Sequence, residues 1–267
     1  MKGRVLIIAG SDPSGGAGIQ ADIKTVTMLG GYAAAAITSL TVQNTLGVKS
    51  VHPVAPAVIR AQIEAVLEDI GADAIKIGMI GEKEAAEAIA ETLEAHARGV
   101  PVILDPVLAA TSGGALAAPE MVPVLMNRLL PLAALVTPNA DEAAALTGLA
   151  MRSEDDLAAA GTLLVKAGAK AALVKGGHLK GETVSDALET GAGVRFFRNP
   201  RIHTRSTHGT GCTLASAVAT GIAQGMPLEK AVERAIAFVR AAMRAAPGFG
   251  KGCGPLGHAQ AREDVDD

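Results

Sequence analysis

Short apolar, β-prone runs alternate along the chain with longer segments of helical period, and this rhythm leaves few folds open. The runs are Val5 to Ala9, Ala34 to Leu40, Ala74 to Ile77, Val102 to Leu104, Leu135 to Val136 and Ala171 to Val174. Between them lie helical patterns over Gln20 to Leu29, Pro56 to Asp69, Glu82 to His96, Pro119 to Leu130, Asp141 to Leu146 and Glu154 to Lys166. Parallel strands need a crossover between them, usually a helix, so the alternation predicts an α/β fold with a mainly parallel central sheet. After Lys175 the rhythm changes. Val184 to Leu188 and Val194 to Phe197 flank the turn Gly191-Ala192-Gly193 and predict an antiparallel edge, followed by helices over Thr213 to Ala223 and Leu228 to Ala245. No linker divides the chain, so residues 1–258 read as a single domain and Ala259 to Asp267 as a polar, disordered tail.

Composition removes several functions. Aromatic residues make up 2% of the 267 residues and Trp is absent, so single-strand nucleic-acid binding through stacked bases is disfavoured. A net charge of −3 supplies no basic field for a polyanion. Two cysteines, Cys212 and Cys253, form neither a disulfide framework nor a C-x-x-C metal site, which fits a reducing, cytoplasmic setting. The first apolar run is shorter than a signal-peptide core, and no stretch reaches the ~20 apolar residues of a membrane span.

In a parallel sheet, ligands bind beyond the carboxyl ends of the strands, which directs attention to the residues after each run. Gly10-Ser11-Asp12-Pro13-Ser14-Gly15-Gly16-Ala17-Gly18 is a glycine-rich turn opening a helix, with backbone N–H groups and close approach on offer. It lacks the Gly-Lys-Ser/Thr of a P-loop and the acidic residue of a dinucleotide fingerprint, and a tight turn without ligand contact is its alternative reading. Gln43, in Leu40-Thr41-Val42-Gln43-Asn44-Thr45, can read a heterocycle edge as donor and acceptor, or simply bond a nearby loop. Asp105 follows one strand, and Asn139, Asp141 and Glu142 follow the next. Carboxylates and their waters suit Mg²⁺, while Asn139 or Asp141 alone would serve as a helix cap. Lys175, before Gly176-Gly177-His178, can meet phosphate oxygens. Thr207-His208-Gly209-Thr210-Gly211-Cys212 runs into a helix whose positive end would stabilise a transferring phosphoryl group, and that end is expected to lower the Cys212 thiol pKa and make it a base.

Seven segments in order, Gly10 to Asp22, Gln43-Asn44, Lys76-Ile77-Gly78-Met79, Asp105-Pro106-Val107, Thr137-Pro138-Asn139, Lys175 to His178 and His208 to Cys212, resemble the hydroxymethylpyrimidine/phosphomethylpyrimidine kinases of thiamine biosynthesis, within the ribokinase superfamily. The resemblance runs on into Gly250-Lys251-Gly252-Cys253-Gly254-Pro255. It implies a ribokinase-like three-layer αβα sandwich, usually a homodimer, that uses ATP and Mg²⁺ to phosphorylate 4-amino-5-hydroxymethyl-2-methylpyrimidine and then its monophosphate. On that resemblance Gln43 reads the pyrimidine in a pocket of Gly10, Ala17, Asp22, Val42, Met79 and Val107. Asp105 and Glu142 organise the metal. Lys175, Asn139, Thr207, Thr210 and Gly211 hold the nucleotide, and Gly209, Gly211, Lys175 and Cys212 carry the transfer. Sugar-kinase relatives often have Asp where this chain has Cys212, and Leu108 replaces a frequent methionine. A pyridoxal kinase of the same superfamily, a non-catalytic pyrimidine binder and a dinucleotide oxidoreductase are the competing readings.

Overall fold

The computed structural model describes residues 2–109 and 120–261. Its sheet has nine strands in the order β3-β2-β1-β4-β5-β6-β7-β8-β9. The strands are β1 (Arg4–Ser11), β2 (Tyr32–Asn44), β3 (Gly47–Pro53), β4 (Ala74–Ile77), β5 (Val102–Leu104), β6 (Ala133–Val136), β7 (Ala172–Val174), β8 (Thr183–Glu189) and β9 (Val194–Pro200). From β2 through β7 all neighbours are parallel, and β3, β8 and β9 are antiparallel. Both edges are therefore antiparallel. Only the β8–β9 edge was legible as alternation; Gly47–Pro53 carries Lys49, Ser50 and His52 and has no apolar face of its own.

The helices are α1 (Gly18–Met28), α2 (Pro56–Asp69), α3 (Lys83–His96), α4 (Met121–Val124), α5 (Ala140–Thr147), α6 (Glu154–Lys166), α7 (Thr210–Ala223) and α8 (Leu228–Arg244). The pattern expected as one helix from Pro119 to Leu130 is broken: α4 passes into a π turn, Leu125–Leu129, and a 3₁₀ turn, Leu130–Leu132, with Pro123 and Pro131 depriving the segment of backbone donors. Pro119 itself lies outside the described residues.

The strands in the middle of the sheet are buried on both faces, as parallel strands covered by helices must be. Along β1 the side chains alternate between two cores. Leu6 and Ile8 pack with Ile59, Ile89 and Leu164 under α2, α3 and α6, while Val5, Ile7 and Ala9 pack with Val26, Val218 and Phe238 under α1, α7 and α8. This is the three-layer αβα arrangement of the ribokinase fold. The tail expectation fails at its start: Ala259–Ala261 form a turn, and Ala261 is buried in the second core. The remainder, 262–267, lies outside the described residues.

Candidate active site

The carboxyl ends of β1, β2 and β4 to β7 open into one cleft of about 1200 Å³. Two glycine-rich turns interlock at its centre. In the first, Gly10–Gly18, the Asp12 carboxylate accepts N–H groups from Ser14 (2.8 Å), Gly16 (3.2 Å) and Ala17 (2.8 Å), and also the Ser14 hydroxyl at 2.9 Å. Asp12 therefore consumes the backbone donors expected to be open to a phosphate. Against its burial, the bonds from His208, Ser14 and Ala17 hold this carboxyl below the usual carboxylate range. The buried His208, 2.8 Å from Asp12 through Nε2, joins the second turn to the first. Gly16 is glycine because a Cβ there would lie 2.3 Å from the His208 ring, and one on Gly209 would lie 1.9 Å from the Gly16 carbonyl oxygen. The Asp12–His208 contact spans 196 positions, and nothing local announces it.

At one end the cleft is lined by Gly10, Ala17, Gln43, Met79 and Val107, as expected of a small aliphatic pocket. Gln43 lies on β2, which runs on past Leu40 to Asn44, and its Nε2 donates to Thr41 Oγ1 at 2.8 Å. Strand alternation then explains a correction. Thr41 and Gln43 face the cleft, so Val42 points to the opposite side, 46% exposed, and does not line the pocket. Asp22 is not in the pocket either: wholly buried on α1, it pairs with Lys76 at 2.8 Å.

At the other end, Lys175 Nζ donates to Asp105 Oδ1 at 3.1 Å, and Thr137 Oγ1 donates to the same oxygen at 3.0 Å. Although burial disfavours the ammonium, the Asp105 and Glu142 carboxylates raise the Lys175 pKa above its ordinary value, so it stays a cation. A Cβ on Gly211 would lie 3.0 Å from Lys175 Nζ, which brings the second turn directly against this pair. Gly209 takes φ +83° and opens α7 without a side-chain cap, so the first-turn N–H groups of Gly211 and Cys212 have no side-chain acceptor. The helix begins at Thr210, three residues earlier than its apolar pattern indicated, and Gly211 and Cys212 belong to its first turn. Thr207 and Thr210 line the cleft beside them.

The expected activation of Cys212 is overturned. Burial pushes its thiol up to about 11, and the nearby Lys76 ammonium offsets only part of this. Desolvation of the Cys212 thiol is the largest influence on it, and the positive helix end does not overcome it.

Asn139 caps α5. Its Oδ1 accepts Glu142 N–H at 2.9 Å, while Glu142 Oε2 accepts Asn139 N–H at 2.8 Å, a reciprocal capping box. Asn139 therefore reaches the cleft with its side-chain oxygen already committed. Burial raises the Glu142 pKa to about 7 despite Lys175. Among the described residues no group of three or more His, Cys, Asp and Glu side chains forms a metal cage. The donor set still fits Mg²⁺, which is held by one or two carboxylates together with waters and phosphates. Asp105 and Glu142 both line the cleft, and Asp105 Oδ2 accepts no hydrogen bond from the described residues.

Sequence reasoning missed Arg201. From beyond β9, its guanidinium donates to the carbonyls of Gly177 (2.8 Å), Leu179 and Gly181 (2.6 Å), gathering the loop after Lys175 into one shape. His178 in that loop meets Asp141 at 3.0 Å.

The family model described as phosphomethylpyrimidine kinase matches residues 12–257, which includes every cleft element except β1 with its Gly10 and Ser11. The chain is 48% identical over 266 residues to the Geobacter sulfurreducens thiamine biosynthesis bifunctional protein ThiED, covering all of this chain but about half (54%) of that protein. It is 47% identical over 217 residues to the Rhizobium meliloti hydroxymethylpyrimidine/phosphomethylpyrimidine kinase, covering 81% of each. Among solved structures, an ADP complex of Bacillus subtilis pyridoxal kinase superposes with a TM-score of 0.90 at 33% identity, covering 98% of this chain and 100% of that one. With the ordered motifs converging on one cleft and the match running from the first glycine-rich turn to the last, the chain belongs to the phosphomethylpyrimidine kinase family.

Proposed function

We propose that this chain is an ATP-dependent kinase that phosphorylates the hydroxymethyl group of 4-amino-5-hydroxymethyl-2-methylpyrimidine and then the resulting monophosphate, yielding the diphosphate for thiamine biosynthesis. One observation carries the reading: the uncapped Gly209–Cys212 turn lies against the Lys175–Asp105 pair in the cleft whose other end holds Gln43 among aliphatic side chains. A pyrimidine bound beside Gln43 presents its hydroxymethyl oxygen toward Cys212. The Lys175 ammonium and the first-turn N–H groups meet the charge that develops on the transferred group, and positioning supplies most of the rate. Thr207, Thr210 and the Arg201-held loop form the nucleotide side. Asp105 and Glu142 would hold Mg²⁺, which neutralises phosphate charge when bound.

A pyridoxal kinase is the second reading, favoured by the close superposition on the Bacillus subtilis enzyme. Side-by-side kcat/KM values for the hydroxymethylpyrimidine and for pyridoxal decide between them. We expect the pyrimidine to win by at least tenfold, and preference for pyridoxal overturns the assignment.

The two steps make different demands on Cys212. An alcohol must lose a proton to attack, whereas a monophosphate with a second pKa near ~6 is already largely dianionic at neutral pH. With the thiol at about 11, the thiolate fraction grows with pH throughout the working range. The first step should therefore accelerate from pH 7 to 9 while the second stays flat. Cys212→Ala should abolish that slope and slow the alcohol step more than the monophosphate step; equal losses in both would remove Cys212 as the base.

The outward face of β2 exposes Leu40 (51%) and Val42 (46%), an apolar strip that suits the homodimer implied by the resemblance. The continuous sheet supports reading the chain through Ala261 as one kinase domain. No helix among the described residues is long and apolar enough to cross a membrane.

A further inference from the structure

A buried trio of one ion pair and a serine, outside the cleft, bears on the same turn. Lys76, in the middle of β4, and Asp22, on α1, are both wholly buried and meet at 2.8 Å. The other carboxylate oxygen of Asp22, Oδ1, accepts Ser216 Oγ at 2.7 Å, and Ser216 is buried on α7 one turn after Cys212. Each oxygen of one carboxylate thus has a fixed partner on a different element, and α1, β4 and α7 meet at one point. Room is kept for the ammonium: a Cβ on Gly78 would lie 2.6 Å from Lys76 Nζ.

Such a pair is a poor way to gain stability. Desolvating both ions is costly, and apolar residues of similar volume commonly do as well or better. What the trio provides is a directional constraint. Sliding or rotating α7 would break the bond between Ser216 and a buried carboxylate, and the neighbouring first turn is the part of α7 that faces the phosphoryl group. The Asp22 carboxylate keeps Lys76 above its ordinary pKa despite its burial, while burial in turn pushes the Asp22 carboxyl up.

We propose that Asp22, Lys76 and Ser216 are positioning residues for phosphoryl transfer, tying α7 to β4 and α1 so that the Gly209–Cys212 turn is aimed at the transferred group. This rests on the kinase reading of that turn. Misplacement by about 1 Å can cost on the order of 10²-fold in rate.

The test compares wild type, Ser216→Ala and the apolar double variant Lys76→Met/Asp22→Leu by circular dichroism, melting temperature and kinetics with both pyrimidine substrates. For folded variants, kcat should fall at least tenfold with both substrates, with the pyrimidine KM within about twofold of wild type, because Gln43 on β2 and Val107 after β5 lie on other elements. Should the double variant not fold, Ser216→Ala, which removes only a hydroxyl from within a helix, carries the test alone. A folded variant with a lowered melting temperature and unchanged kcat makes the trio purely structural and overturns the proposal. An active wild type with unaffected variants sinks this proposal alone, whereas a wild type without turnover sinks the kinase reading and this proposal together.

Discussion

Gly209→Ala should reduce kcat by at least about 10³-fold. At φ +83° a non-glycine residue is strained by roughly 1–2 kcal/mol, and the added Cβ would lie 1.9 Å from the Gly16 carbonyl oxygen. The two interlocked turns cannot both keep their places, so the second turn must swing away and take the Gly211 and Cys212 N–H groups with it. Losing a single such donor typically costs about 10²–10³ in kcat, and this substitution displaces more than one. The check is kcat on protein shown by circular dichroism to be folded. A folded variant within tenfold of wild type would mean that the turn does not stabilise the transferred group.

The second large effect is at Lys175. Lys175→Met removes the half-buried cation proposed to meet the phosphate charge and leaves Asp105 without its ion-pair partner. The expected loss is about 10²–10³ in kcat, with the pyrimidine KM nearly unchanged because Gln43 and Met79 lie at the far end of the cleft. Lys175→Arg should fail to rescue it, since Gly211 packs too closely against the ammonium to admit a planar guanidinium. Steady-state kinetics on the three proteins check this, and full activity in Lys175→Arg would show that charge alone suffices there.

What could be read from the sequence and what could not divides along physical lines. β1, β4, β5 and β7 are short apolar runs buried on both faces, so their hydrophobicity marked them and their ends pointed to Asp105 and Lys175. β3 is an edge strand with polar side chains, and it was missed because its partner, not its composition, makes it a strand. Position in a motif points Val42 into the pocket; strand alternation along β2 turns it outward. Asp22 went the same way, since its partners Lys76 and Ser216 lie 54 and 194 positions distant. The Cys212 thiol illustrates a competition that local reasoning judged wrongly. A helix end lowers a thiol pKa, burial raises it, and only the packing of α7 against the sheet shows which prevails. The Asp12–His208 bond, which closes the two glycine turns on each other, is legible only in three dimensions.

The most direct test of the account is to incubate the purified protein with Mg-ATP and 4-amino-5-hydroxymethyl-2-methylpyrimidine and follow the products by mass. The account predicts a monophosphate that appears first and is then consumed as the diphosphate accumulates, with ATP used in proportion to both steps. Absence of any phosphorylated pyrimidine, from protein that is folded and binds ATP, would contradict it.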